Sequence, residues 1–115
     1  MRVAVNKIDK NGRQTWKIEK LEKFEDYYKF LECDRFDVVM IDCKEHRLSL
    51  YVDDEGLLKP ENYGRHVEGY PEPLFGNIVV TGGVDGEGNT LPLPEELELA
   101  DMQALSHPVN YVTNL

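Results

Sequence analysis

The spacing of apolar and polar positions changes several times along the chain, and each change marks an element. Val3, Val5 and Ile8 lead into Asp9-Lys10-Asn11-Gly12, after which Thr15, Trp16, Lys17 and Ile18 resume an apolar/polar alternation. An Asn-Gly pair between two such runs favours a hairpin, because both residues tolerate positive φ. Residues 2–8 and 14–19 are therefore expected to pair as strands. From Leu21 the spacing becomes three and four: Leu21, Phe24, Tyr28 and Leu31 recur with Tyr27 beside them, while Glu22, Lys23, Glu25, Asp26 and Lys29 hold the wet side. This stripe predicts an amphipathic helix over residues 21–33.

Asp34-Arg35 breaks the helix, and residues 36–42 form an apolar run suited to a well-buried strand. Leu48, Leu50 and Val52 then alternate with Arg47, Ser49 and Tyr51, predicting a strand over residues 47–53 that Asp53-Asp54-Glu55-Gly56 ends in a turn. Residues 57–76 are punctuated by Pro60, Gly64, Gly69, Pro71, Pro73 and Gly76 and read as a long irregular loop, which in a compact domain is usually functional. Ile78, Val79 and Val80 mark another buried strand within residues 77–82, and Asp85-Gly86-Glu87-Gly88-Asn89 a tight turn. Pro94-Glu95-Glu96 has the character of a helix start, with Leu97, Ala100 and Leu105 inward. The expected fold class is α+β: a small antiparallel or mixed sheet, one amphipathic helix packed on it, and a short C-terminal helix. Phe24, Leu31, Val38, Met40, Leu50, Ile78 and Val80 are expected to share its core.

At 115 residues, without an internal repeat or a linker, residues 1–115 read as a single domain. No run approaches the length of a membrane span, and no apolar region of signal-peptide length precedes Asp9 and Lys10, so a cytoplasmic protein is expected. Cys33 and Cys43 suit that compartment as free thiols.

Charge changes the picture more than composition does. The formal charge is −9, and it is unevenly spread. Residues 1–65 hold 14 acids against 13 Lys/Arg, whereas residues 66–115 hold eight acids and no Lys or Arg. That half offers nothing to replace the counterions of a nucleic acid or to meet an anionic membrane. Its natural partner is a basic protein surface, such as one built to hold phosphates. The candidate contact residues are Asp85, Glu87, Glu95, Glu96, Glu98 and Asp101, with Tyr63, Tyr70 and Phe75 as alternative anchors in the loop.

Candidate chemistry adds little. Cys43 and His46 have C-x-x-H spacing, but Cys33 and His66 do not complete two close ligand pairs, so a packed thiol and a turn histidine are expected, with no metal. Asp85, Glu87, Asn89 and Glu96 echo positions 1, 3, 5 and 12 of a calcium loop, yet Thr90 stands where glycine is required and a strand precedes the loop. Gly82-Gly83 and Gly86-x-Gly88 lack the Lys-Ser/Thr ending of a phosphate loop, and Asp85 and Glu87 would repel a phosphate. No cofactor and no catalytic residue is assigned.

Three stretches carry a resemblance: Tyr51-Val52-Asp53-Asp54-Glu55-Gly56, Tyr70-Pro71-Glu72-Pro73-Leu74-Phe75-Gly76-Asn77-Ile78-Val79-Val80-Thr81-Gly82, and Asp85-Gly86-Glu87-Gly88. Over roughly residues 36–98 the chain resembles a family of domains of unknown function from bacteriophages, plasmids and related bacterial islands. The resemblance implies fold and genomic setting and no catalytic residues. Small acidic proteins of that setting often antagonise host defences. The expected function is therefore an acidic phage or mobile-element protein that binds a basic surface of a nucleic-acid-binding host protein, as an inhibitor of anti-CRISPR or anti-restriction type, and not an enzyme. The alternatives are a small metal-binding protein or enzyme using residues 85–96, or a structural, oligomerising phage component.

Overall fold

The computed structural model describes residues 1–113. Among the described residues, eight strands and two helices follow in the order β1 (Arg2–Ile8), β2 (Gln14–Lys20), α1 (Glu25–Leu31), β3 (Phe36–Cys43), β4 (His46–Asp53), β5 (Tyr63–Arg65), β6 (Leu74–Phe75), β7 (Ile78–Gly82), α2 (Leu99–Leu105) and β8 (Tyr111–Val112), with a 3-10 turn at Gly56–Leu58. Five strands form an antiparallel sheet in the order β2-β1-β7-β4-β3, and β6-β5-β8 form a second, small one. The α+β class expected from the sequence holds.

The large sheet is covered on both faces, which divides the core in two. On one face Ala4, Leu48, Leu50, Val52, Ile78 and Val80 pack under Leu93, Leu97, Met102 and Leu105; on the other Val3, Val5, Tyr51 and Val79 pack under Tyr27 and Leu31 of α1. The pleat explains the division, since successive side chains of one strand point to opposite faces. β7 is buried at every position and lies between β1 and β4, as its unbroken apolar run implied. Gly82 is required where residues 91–92 cross the end of β7: a Cβ there would stand 2.4 Å from the Pro92 carbonyl oxygen.

Several expectations are corrected. Leu31, Leu50, Ile78 and Val80 are buried, but Leu31 lies on the opposite face from the other three. Phe24, Val38 and Met40 are 52%, 40% and 40% exposed. Phe24 is only the N-cap of α1, a helix of two turns that starts at Glu25, and its buried residues are Tyr27 and Leu31. Strand β3 is an edge strand rather than a well-buried one, and of its residues only Ile41 is buried. Helix α2 starts at Leu99, with Glu98 as N-cap; Leu97 is buried before the helix begins, and Met102 takes the inward place expected of Ala100. Residues 57–76 are less irregular than expected, because β5 and β6 lie within them.

The hairpin turns also differ from the sequence signal. At Asn11-Gly12 only Gly12 has positive φ, and the Asp9 N–H donates to the Arg13 carbonyl, so this turn is longer than two residues. The two-residue turn is Lys44-Glu45, with φ of 47° and 68°, which sets Cys43 directly opposite His46. The C-x-x-H spacing is thus that of a two-residue hairpin.

Candidate functional site: an acidic groove beside the edge strand

A groove of about 220 Å³ opens beside β3. Its walls are Asp37 and Val39 of β3, Val52, Asp53 and Asp54 at the end of β4, Leu57 of the 3-10 turn, Tyr70 and Glu72 of the following loop, and Leu74-Phe75 of β6. No Lys or Arg lines it. Four carboxylates, two aromatic rings and an exposed leucine therefore surround one concavity.

Arg65 builds the β6 wall. Its side chain is fully buried, where it donates to the Asn6 carboxamide oxygen (Nε, 3.0 Å), the Leu74 carbonyl (2.8 Å) and the Gly76 carbonyl (2.6 Å). The two carbonyls bracket Phe75, so Arg65 fixes the backbone on either side of it. Phe75 lies on Gly64, where a Cβ would come within 2.8 Å of the ring. Burial without a carboxylate partner pulls the Arg65 pKa down, and it is neutral oxygens that satisfy this cation. The β4 end is fixed separately: Asp53 accepts the Glu55 N–H at 2.9 Å and pairs with Lys59 at 2.5 Å, a hydrogen bond that raises the Lys59 pKa.

The charges of the groove are unequal in availability. Asp53 is neutralised by Lys59, and Asp54 stands 3.8 Å from Arg35 in an exposed pair of little energetic weight. Glu72 makes no ion pair among the described residues, and Asp37 accepts only the N–H of Val38, at 2.8 Å. At the other edge of the sheet the sign reverses. Lys7, Lys17 and Lys29 line a cavity of about 300 Å³ with Val5, Thr15, Glu19 and Phe30, between β1, β2 and α1, three cations against one carboxylate.

The alternative anchors divide. Tyr70 and Phe75 line the groove, whereas Tyr63 packs its ring on Gly12 of the first hairpin turn. Of the six carboxylates picked out by charge alone, Glu96 and Asp101 lie at the β3-β4 turn, the other end of a β4 strand about 23 Å long at strand rise. Glu96 stands 3.4 Å from His46, and Asp101 pairs with Lys44 at 2.5 Å. Asp101 also accepts the Glu98 N–H at the start of α2; that bond and then Lys44 hold its pKa down. Asp85 accepts the N–H groups of Asn89 and Glu87 within its own turn, which lowers its pKa. Glu87, Glu95 and Glu98 are exposed.

The sequence reading left Asp37, Asp54, Leu57 and Glu72 out of the candidate contacts: Asp54 and Glu72 lay in stretches that spoke only for fold, and nothing in the local pattern distinguishes Asp37 and Leu57. Arg65 did carry a signal, as the last cation before fifty residues without one. No group of three potential metal ligands occurs among the described residues. No described helix is long and apolar enough to cross a membrane.

A family model described as a domain of unknown function, DUF3846, matches residues 1–107. The chain belongs to the DUF3846 family. The match takes in the first hairpin and α2, so it extends beyond the region that carried the resemblance in sequence. No curated protein and no solved structure matches the chain. Membership in DUF3846 brings no assigned activity, and the groove has to be read from its own chemistry.

Proposed function

We propose that this DUF3846 chain acts by binding and not by catalysis: it is an acidic, phage- or mobile-element-encoded protein that engages a basic surface of a host protein in the bacterial cytoplasm. The target best suited to that charge is a nucleic-acid-binding defence protein. The chain would then be an inhibitor of anti-CRISPR or anti-restriction type, its carboxylates occupying Lys/Arg positions that otherwise hold phosphates.

One observation carries the reading. Tyr70, Phe75 and Leu57 share a groove with Asp37, Asp54 and Glu72, and no cation lines it. Aromatic rings supply contact area at low entropic cost, and carboxylates around them select a cationic partner. The Lys7–Lys17–Lys29 cavity at the far edge would turn an approaching basic surface towards the groove.

The test is affinity capture from bacterial lysate at low and high salt, with the unaltered chain and two double variants. Asp37→Asn with Glu72→Gln should slow association with the captured partner, and salt should mimic that change. Glu95→Gln with Glu96→Gln, at the distant end, should have the smaller effect. A partner bound equally by all three proteins and insensitive to salt would overturn the reading.

A further inference from the structure

Strand β3 is eight residues long, about 26 Å at strand rise, and among the described residues has β4 on one side only. Its two faces differ in kind. Asp37 and Val39 look into the acidic groove. On the opposite face Phe36, Val38 and Met40 continue an apolar stripe that begins on α1: Phe24 stacks on Tyr28 at 5.8 Å, and Tyr28 meets Phe36 at 5.0 Å. Phe24, Tyr28, Val38 and Met40 are all exposed. A contiguous apolar stripe along an open edge is what soluble chains ordinarily avoid. The edge is closed only lightly, since the Val38 N–H donates to the Asp37 carboxylate where a neighbouring strand would offer a carbonyl. By antiparallel alternation the Met40 and Asp42 N–H groups share that side.

We propose that β3 receives an extended partner segment by β-strand addition, a segment in which Lys or Arg alternates with apolar residues. The proposal rests on the groove reading above and adds the geometry of the ligand. Side chains of an added strand alternate between faces. Its cationic positions meet Asp37, Asp54 and Glu72 in the groove, and its apolar positions cover Val38, Met40, Phe24 and Tyr28. The Asp37 carboxylate exchanges the Val38 N–H for an incoming cation, so one residue both guards the edge and selects what may pair with it. Charge decides against the β3 of a second copy as occupant: residues 36–43 contain Asp37 and Asp42 and no Lys or Arg, so another β3 brings nothing to neutralise the groove.

Three blocked octapeptides test this on the full chain. The first alternates Arg and Val, the second has the same composition as an Arg block followed by a Val block, and the third is the alternating peptide N-methylated at every second residue along one edge. The alternating peptide should bind best, with both others weaker by about tenfold or more, and it should slow hydrogen exchange at Val38, Met40 and Asp42. Asp37→Asn with Glu72→Gln should weaken it, with the melting temperature unchanged. Equal binding of all three peptides, sensitive to those substitutions, would overturn strand addition and leave the groove reading standing. Binding of none at millimolar concentration would overturn both. A dimer seen by sedimentation with these β3 amides protected in the absence of peptide would overturn the choice of occupant.

Discussion

The guanidinium of Arg65 and the carboxamide of Asn6 meet inside the molecule, Nε to Oδ1 at 3.0 Å, and join the loop sheet to the third residue from the end of β1. Asn6 also donates to the Thr15 carbonyl across the first hairpin, so the contact ties both strands of that hairpin to Arg65, 59 residues from Asn6. Replacing Arg65 with Met should leave the Asn6, Leu74 and Gly76 oxygens short of a donor. Each buried acceptor so orphaned costs about 1–3 kcal/mol. The melting temperature should fall by about 5 °C or more, on the usual scale for a domain of this size. An unchanged melting temperature would show that the loop sheet is held by other contacts.

Leu50 and Val38 offer a paired test of the core. Leu50 is fully buried at the centre of one cluster, and Leu50→Ala should cost about 2–5 kcal/mol. Val38→Ala, on the open edge, should cost no more than about 0.5 kcal/mol, as surface sites do. Denaturant unfolding of both variants decides it, and equal losses would contradict the edge position of β3.

Gly82 and Gly86 are four residues apart and should respond oppositely to alanine. At Gly82 the new methyl meets the Pro92 backbone, which cannot turn aside, so a loss of about 1–3 kcal/mol is expected. At Gly86 nothing lies within 4 Å and φ is not positive, so Gly86→Ala should be neutral or stabilising by up to about 1 kcal/mol. Thermal melts of the two variants suffice.

Acid should weaken the fold through identifiable carboxylates. Asp85 is held below its ordinary value of 3.8 by the Asn89 and Glu87 N–H groups, and Asp26 by those of Glu22 and Lys23. A pKa lowered by folding contributes stability that is fully present above the unfolded value. That stability is lost as pH falls through the lowered folded one. Melting temperature should therefore drop between about pH 5 and pH 2, and Asp26→Asn with Asp85→Asn should flatten that limb. An identical acid limb in the variant would assign the loss to other groups.

The sequence was most legible where one short segment contains its own reason. The first hairpin, β4 and β7 were readable because alternation or an unbroken apolar run decides a strand locally. The helix was readable in kind and misjudged in face. Phe24 and Tyr28 belong to the same periodic stripe as Leu31, yet α1 starts only at Glu25 and buries Tyr27 and Leu31, leaving Phe24 and Tyr28 stacked on each other and exposed. The groove was half legible: Tyr70 and Phe75 stood out as aromatic residues in a long loop, while Asp37, Asp54 and Leu57 come from three other segments.

Local pattern along the chain suffices for the α+β class, the periodicity of the strands, and an acidic stretch over residues 66–115 without Lys or Arg. Only the tertiary structure decided which strand lies at the edge, because strand order depends on pairings between distant segments that no local pattern records. It likewise decided which carboxylates are available. Asp85 and Asp101 satisfy N–H groups of their own turn and helix, whereas Glu72, and Asp37 beyond its single bond from the Val38 N–H, converge beside two aromatic rings. Charge can be counted along a chain, but whether a carboxylate faces its own backbone or a partner depends on what folding brings next to it.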